Sequence, residues 1–143
     1  MSGMRLIVKT VTRVTSGLVF VFGLFITIQG HLDLGGGIAG GVIIALASAL
    51  EVLAFGKNEQ EIERSKVKAM ASLIVGSSAF IVIALAGYFL NNFLPKGIPG
   101  QLLSGGTIPL YNVAMLLAIG GGLYSIFLEL ISFKVEVREE EQE

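Results

Sequence analysis

The sequence predicts an all-helical integral membrane protein with four transmembrane helices, and two observations favour this class. First, 53% of the 143 residues are hydrophobic and only 15% are charged, whereas a soluble domain carries about 25% charged residues. Second, a run of about 18 or more apolar residues can cross a hydrocarbon core of roughly 30 Å as a helix. Four such runs occur, interrupted only by Glu51: Val14–Leu32, Leu34–Gly56, Ala69–Pro95 and Gly97–Leu128.

These runs account for nearly the whole chain, which we therefore interpret as one membrane domain, residues 1–143. Gly56 is expected to stop the second helix, and Pro109 is compatible with the first turn of the fourth. Hydroxyl side chains on the first helix, Ser16 and Thr27 among them, can bond to their own helix or to a neighbour. The predicted segments are helices at about 11–29, 38–55, 67–91 and 109–133, and a polar tail at 134–143.

The distribution of Lys and Arg predicts the orientation of the chain. With four spans, both termini and the loop between the second and third helices lie on one side. That side holds nine of the ten Lys and Arg residues, and the other side holds only Lys96. Cytoplasmic loops are enriched in Lys and Arg. We therefore expect a multi-pass protein of the plasma membrane with both termini in the cytoplasm.

Composition also narrows the classes of function. The net charge of −1 offers no electrostatic basis for binding nucleic acid, so the lipid bilayer and other membrane subunits are the expected partners. The chain has no cysteine, which excludes thiolate catalysis and cysteine-bound metal centres within it. No nucleophile–base pair, metal triad or cofactor motif is recognisable. The prediction is a non-catalytic chain without a cofactor or metal of its own.

Four ionisable residues are candidates for an ion path or for contact with a partner. His31 and Asp33 follow the first helix; a histidine titrates near neutral pH, but the pair is equally compatible with a polar interfacial turn. Glu51 and Glu129 fall inside the second and fourth helices, at similar depths near the cytoplasmic end. Ionisable side chains within membrane helices are costly and frequently functional. Alternatively, each glutamate reaches the interface or pairs with a nearby lysine.

Glycines between the first two helices predict a hinge and a packing surface. Gly35, Gly36 and Gly37 permit a sharp turn. Together with Gly40 and Gly41 they provide small residues at the three- to four-residue spacing that lets membrane helices approach closely. A glycine triplet at 120–122 lies within the predicted fourth helix. It is compatible with a kink, a tight helix crossing or a lipid-filled notch. Asn112, near the start of that helix, is interpreted as a cap.

Two motifs resemble the B subunit of Mrp (Mnh) multisubunit cation/proton antiporters. The segment 30–41 reads GHLDLGGGIAGG, where the family has G-H-N-x-P-G-G-G-F-x-G-G. The segment 104–114 reads SGGTIPLYNVA, where the family has S-G-G-T-x-P-L-x-N-x-A. The segment 9–13 also resembles the family sequence that leads into the first helix. Leu32, Leu34 and Ile38 depart from the first motif.

The resemblance implies a small integral subunit packed among other Mrp-type subunits, in a module that exchanges Na⁺ for H⁺. Related modules form the membrane arms of archaeal membrane-bound hydrogenases and sulfur-reducing complexes, where other chains carry the redox chemistry. Three hypotheses follow. The chain helps to form the ion path, it only braces the complex, or it transports ions alone; the last is the least favoured because no internal repeat is visible.

Overall fold

The computed structural model describes residues 2–30, 35–56, 59–89 and 106–140. These residues form four helices: α1 (Ser2–Gln29), α2 (Gly37–Phe55), α3 (Glu59–Phe89) and α4 (Ile108–Glu140). Each helix contains a stretch long and apolar enough to cross a membrane. The predicted all-α class with four long apolar helices is confirmed.

Three helices extend further than the sequence predicts. The first begins at Ser2 rather than Val11, the third begins at Glu59 rather than Val67, and the fourth continues to Glu140 through most of the expected polar tail. Hydropathy identifies only the part of a helix that lies in lipid, whereas its charged ends can remain helical in water. Acidic residues in the first turn of α3 favour this, because they complement the positive end of the helix dipole.

Glycines mark both ends of α2. Gly36 precedes the helix with φ of 85°, and Gly56 follows it with φ of 66°. A residue with a side chain rarely adopts such positive φ values, whereas glycine adopts them without a steric penalty. The backbone N–H of Gly56 donates to the carbonyl of Val52 at 3.0 Å, so Gly56 ends the helix as predicted.

Helix α4 is the centre of the arrangement. It packs against α2 on one side and α3 on the other and also touches α1, while α2 packs against α1. Among the described elements, the backbone of α3 lies close to that of α4 alone. Helices α2 and α4 run parallel, and α1 and α3 run antiparallel to them. We call the end where α1 and α3 begin the termini end, and the opposite end, where α2 and α4 begin, the hinge end.

The interior is built largely from small side chains. Buried alanines occupy α2, α3 and α4, and a larger cluster of Val52, Ile62 and Leu128 joins these three helices near the termini end. Many large apolar side chains on α1 and α3 are exposed instead. These outward faces are suited to lipid or to neighbouring membrane subunits.

Candidate functional site

Helices α1 and α2 meet at a crossing formed by Gly23, Thr27 and Gly40. A Cβ atom at Gly40 would collide with the Thr27 hydroxyl and would lie 2.7 Å from the carbonyl oxygen of Gly23. The Thr27 hydroxyl, which is buried, donates to that same carbonyl at 2.8 Å. The hydrogen bond therefore stays within α1, and the absence of a side chain at Gly40 is what permits the close approach.

The hinge glycines and the triplet in α4 face each other across the next interface. Gly37 packs on the backbone of Asn112, and a Cβ at Gly41 would lie 3.0 Å from the backbone nitrogen of Gly120. On the opposite side of α4, a Cβ at Gly121 would lie 2.6 Å from the carbonyl oxygen of Ala69 in α3. The triplet 120–122 thus marks two tight crossings, one toward α2 and one toward α3.

Glu51 lies near the termini end of α2, inside the candidate span Gly37–Phe55. Its carboxylate accepts a hydrogen bond from the Ser16 hydroxyl of α1 at 2.9 Å. Ser16 is 2% exposed, whereas Glu51 lies at the surface of the chain. Among the described side chains, no Lys or Arg lies within ion-pair distance of Glu51. The carboxylate is therefore anchored by a hydroxyl and has no paired cation within this part of the chain.

Glu129 has a different environment at a similar level of the bundle. Its carboxylate pairs with the ammonium of Lys66 on α3 at 2.5 Å, and the Glu129 side chain is 72% exposed. Both residues belong to candidate spans, and the pair bridges α3 and α4. This arrangement matches the alternative in which a nearby lysine neutralises the glutamate.

Two cations of α1 lie over one aromatic ring at the end of α2. The guanidinium carbon of Arg13 is 5.1 Å from the centroid of the Phe55 ring, and the Lys9 ammonium is 6.0 Å from it. These are cation–π distances. Phe55 follows Glu51 by four residues, so the cations are directed about one helical turn closer to the termini end. Sequence reasoning did not single out Phe55, because a lone phenylalanine in an apolar helix carries no distinguishing pattern.

Asn112 is buried at the hinge end rather than acting as a cap. Its side chain packs against Gly36, with the amide oxygen 3.0 Å from the position of a Cβ there, and its amide nitrogen faces Gly30. That nitrogen has no hydrogen-bond partner among the residues that the structure describes. The first turn of α4 is instead closed by the Thr107 carbonyl, which accepts from the N–H groups of Leu110 and Tyr111.

His31 and Asp33 lie outside the described residues, so the structure does not place these two candidates. Gly35, just after them, is exposed, and a Cβ there would lie 2.8 Å from a methyl carbon of Ile26. Over the ranges that are described, no three acidic, histidine or cysteine side chains come together as a possible metal site.

The fold and its small-residue crossings define a multi-pass membrane protein with extensive surfaces left open. A family model described as "Domain related to MnhB subunit of Na+/H+ antiporter" matches residues 7–125. The chain belongs to this MnhB family, and the resemblance found in its two motifs is confirmed.

Relatives and a solved structure agree with this assignment. The chain is 28% identical over 131 residues to a Staphylococcus haemolyticus protein that carries the name antiporter subunit mnhB2, covering 87% of this chain and 92% of that one. It is 29% identical to the uncharacterized protein MJ1307 of Methanocaldococcus jannaschii, covering 82% of this chain and 48% of that protein.

One solved structure to which the chain is similar is a chain of the membrane-bound sulfane sulfur reductase, an archaeal respiratory membrane complex. The TM-score is 0.58 and the identity 32%, and the match covers 84% of this chain and 55% of that chain. The chain thus spans about half the length of the archaeal proteins it matches and nearly the full length of the staphylococcal one.

Proposed function

We propose that this chain is a subunit of an Mrp-type cation/proton antiporter module and helps to form the Na⁺/H⁺ path within a larger membrane complex. Family membership over residues 7–125 and the name of the staphylococcal relatives support the antiporter module. The likeness to a respiratory complex supports a host with other Mrp-type membrane subunits. In such a host, Na⁺ and H⁺ are the transported ions and other chains carry any redox chemistry.

The main observation that supports a role in the ion path is the environment of Glu51. An ionisable group inside a membrane span is costly and is retained most often for function. Glu51 is oriented by the Ser16 hydroxyl and has no paired cation among the described residues. A carboxylate in this state can exchange a proton or contact a hard cation. Glu129, paired with Lys66, is the weaker candidate.

The alternative is a structural subunit that braces the complex and contributes no residue to the path. The close glycine crossings on both sides of α4 favour it, because such packing holds helices rigidly in place. The two functions differ in what a single neutral substitution does to transport.

The test is Na⁺-dependent proton transport by the intact complex in membrane vesicles, with Glu51→Gln, Glu129→Gln, His31→Gln and Asp33→Asn introduced one at a time. We expect Glu51→Gln to reduce transport severalfold, since it removes the titratable group but keeps the shape of the side chain. We expect Glu129→Gln to reduce transport less, because the Glu129 carboxylate is already paired with Lys66. If transport survives all four changes, the path role fails and the bracing role remains.

A further inference from the structure

We propose that the start of α2 and the side-chain amide of Asn112 form a binding site for a carboxylate at the hinge end. The described residues that make up this carboxylate site are Gly36, Gly37, Ile38, Ala39 and Asn112. It lies at the opposite end of α2 from Glu51, so it is separate from the role proposed for Glu51 in the ion path.

The first turn of α2 offers backbone donors for such a ligand. The N–H of Gly40 donates to the Gly36 carbonyl at 3.0 Å, whereas the N–H groups of the three residues before Gly40 lie in the first turn, where a helix provides no acceptor. Gly36 has no side chain with which to cap them, and the first turn contains no acidic residue. Because the N-terminus of a helix carries partial positive charge, a carboxylate placed there is stabilised.

The side chain of Asn112 provides a further donor, on a different helix. It is 8% exposed, and its amide lies between the two ends of the hinge. A Cβ at Gly30 would lie 2.8 Å from the amide nitrogen, and a Cβ at Gly36 would lie 3.0 Å from the amide oxygen. Within the described ranges, the amide nitrogen meets no acceptor. A carboxylate accepts several hydrogen bonds at once, so one ligand can satisfy both Asn112 and the start of α2.

The sequence contains a carboxylate close to this position. A Cβ at Gly30 would lie 2.6 Å from the backbone nitrogen of Gly36, so the segment 31–35 begins and ends beside the site. This segment includes Asp33, the one acidic residue in 14–50, which itself lies outside the described residues. Asp33 is therefore the source of the carboxylate within the chain, and an acidic side chain of a neighbouring subunit is the other source of the same chemistry.

Thermal unfolding of the full chain in detergent tests the site through Asn112→Leu, which nearly keeps the volume of the side chain but removes the amide. If the amide had no partner, an apolar group would replace it without loss of stability. We expect instead a melting temperature lower by about 3 °C or more, which is the size expected for the loss of one helix cap. An unchanged or higher melting temperature, together with normal assembly into the complex, would overturn the site.

Asp33→Ala and added salts identify the ligand. If Asp33 is the source, Asp33→Ala should lower the melting temperature, and sodium acetate should restore more of it than sodium chloride at the same concentration. In the double variant with Asn112→Leu, the two salts should act alike, and the loss should be smaller than the sum of the single losses. Glu63→Ala removes an exposed carboxylate of α3 and is the matched control, for which acetate and chloride should not differ.

The remaining outcomes are equally decisive. If Asp33→Ala has no effect, while Asn112→Leu reduces the amount of the chain that co-purifies with a tagged neighbouring subunit, the neighbour supplies the carboxylate. A preference for acetate that persists without the Asn112 amide would overturn the site. None of these variants alters Glu51, so failure of the carboxylate site leaves the proposed ion path untouched.

Discussion

Ser16 illustrates how a single hydroxyl can determine the position of an intramembrane charge. It is almost fully buried, and it lies against both the Glu51 carboxylate and, at 3.3 Å, the carbonyl oxygen of Arg13. A hydroxyl has one proton to donate, so the bond to Glu51 is made at the expense of the bond to its own helix. The orientation of Glu51 therefore depends on α1, although the residue itself belongs to α2.

At this scale we predict that Ser16→Ala lowers Na⁺-dependent proton transport in vesicles, though less than Glu51→Gln does. The change frees the carboxylate to turn but leaves its charge, and the lost interhelical hydrogen bond costs about 1 kcal/mol. Ser48→Ala is the control, because the Ser48 hydroxyl donates only to the Ile44 carbonyl of its own helix, at 2.9 Å. Equal transport in the two variants would show that Ser16 does not position Glu51.

At the scale of helices, the glycine contacts determine how closely the elements approach. Gly40 and Gly41 are consecutive in α2, but Gly40 faces α1 and Gly41 faces α4. Each of the two glycines therefore contacts a different neighbouring helix. On α4, Gly120 and Gly121 are divided in the same way between α2 and α3. Consecutive small residues thus allow one helix to make two close crossings.

We predict that Gly40→Ala destabilises the chain by about 1 to 3 kcal/mol, the usual cost of overpacking, because the new methyl group meets backbone that cannot rotate away. Gly17→Ala in α1 is the matched control. A Cβ there meets nothing within 4 Å, and alanine favours a helix by about 1 kcal/mol over glycine. Thermal unfolding of the two variants, purified in the same detergent, measures the difference. An unchanged melting temperature for Gly40→Ala would mean that α1 and α2 are not in close contact at this point.

At the scale of the whole molecule, four helices form an open arrangement instead of a closed bundle. Among the described elements, the backbone of α3 lies close to that of α4 alone, and large apolar side chains remain exposed on the outer surfaces of α3 and α1. Such an arrangement is suited to a chain that is completed by its neighbours.

The Lys and Arg distribution predicts that both termini lie in the cytoplasm. Because the chain has no native cysteine, this orientation can be tested with single cysteine substitutions. Single substitutions Gln60→Cys, at the start of α3, and Lys96→Cys, in the link before α4, should label on opposite sides. An impermeant maleimide should reach the first only in inside-out vesicles and the second only in right-side-out vesicles. The reverse pattern would place both termini outside the cytoplasm.

The sequence by itself determined the class, the number of helices and the family. Long uncharged runs must become helices in lipid, because every backbone polar group has to be satisfied within the segment, and two glycine-rich motifs were enough to indicate the MnhB family. The ends of the helices were less predictable. The charged starts of α1 and α3 lie outside the apolar runs, and hydropathy does not indicate whether a charged segment is helical.

Only the tertiary structure decided what distinguishes the two intramembrane glutamates. Along the chain, Glu51 and Glu129 look alike, each an isolated acid near the end of an apolar helix. Their difference depends on which helices become neighbours: α3 brings Lys66 to Glu129, whereas α1 brings the Ser16 hydroxyl to Glu51. The burial of Asn112 against the hinge has the same origin. Such pairings join residues 35 or more positions apart. They depend on which helices pack against each other, and a local sequence pattern cannot predict this.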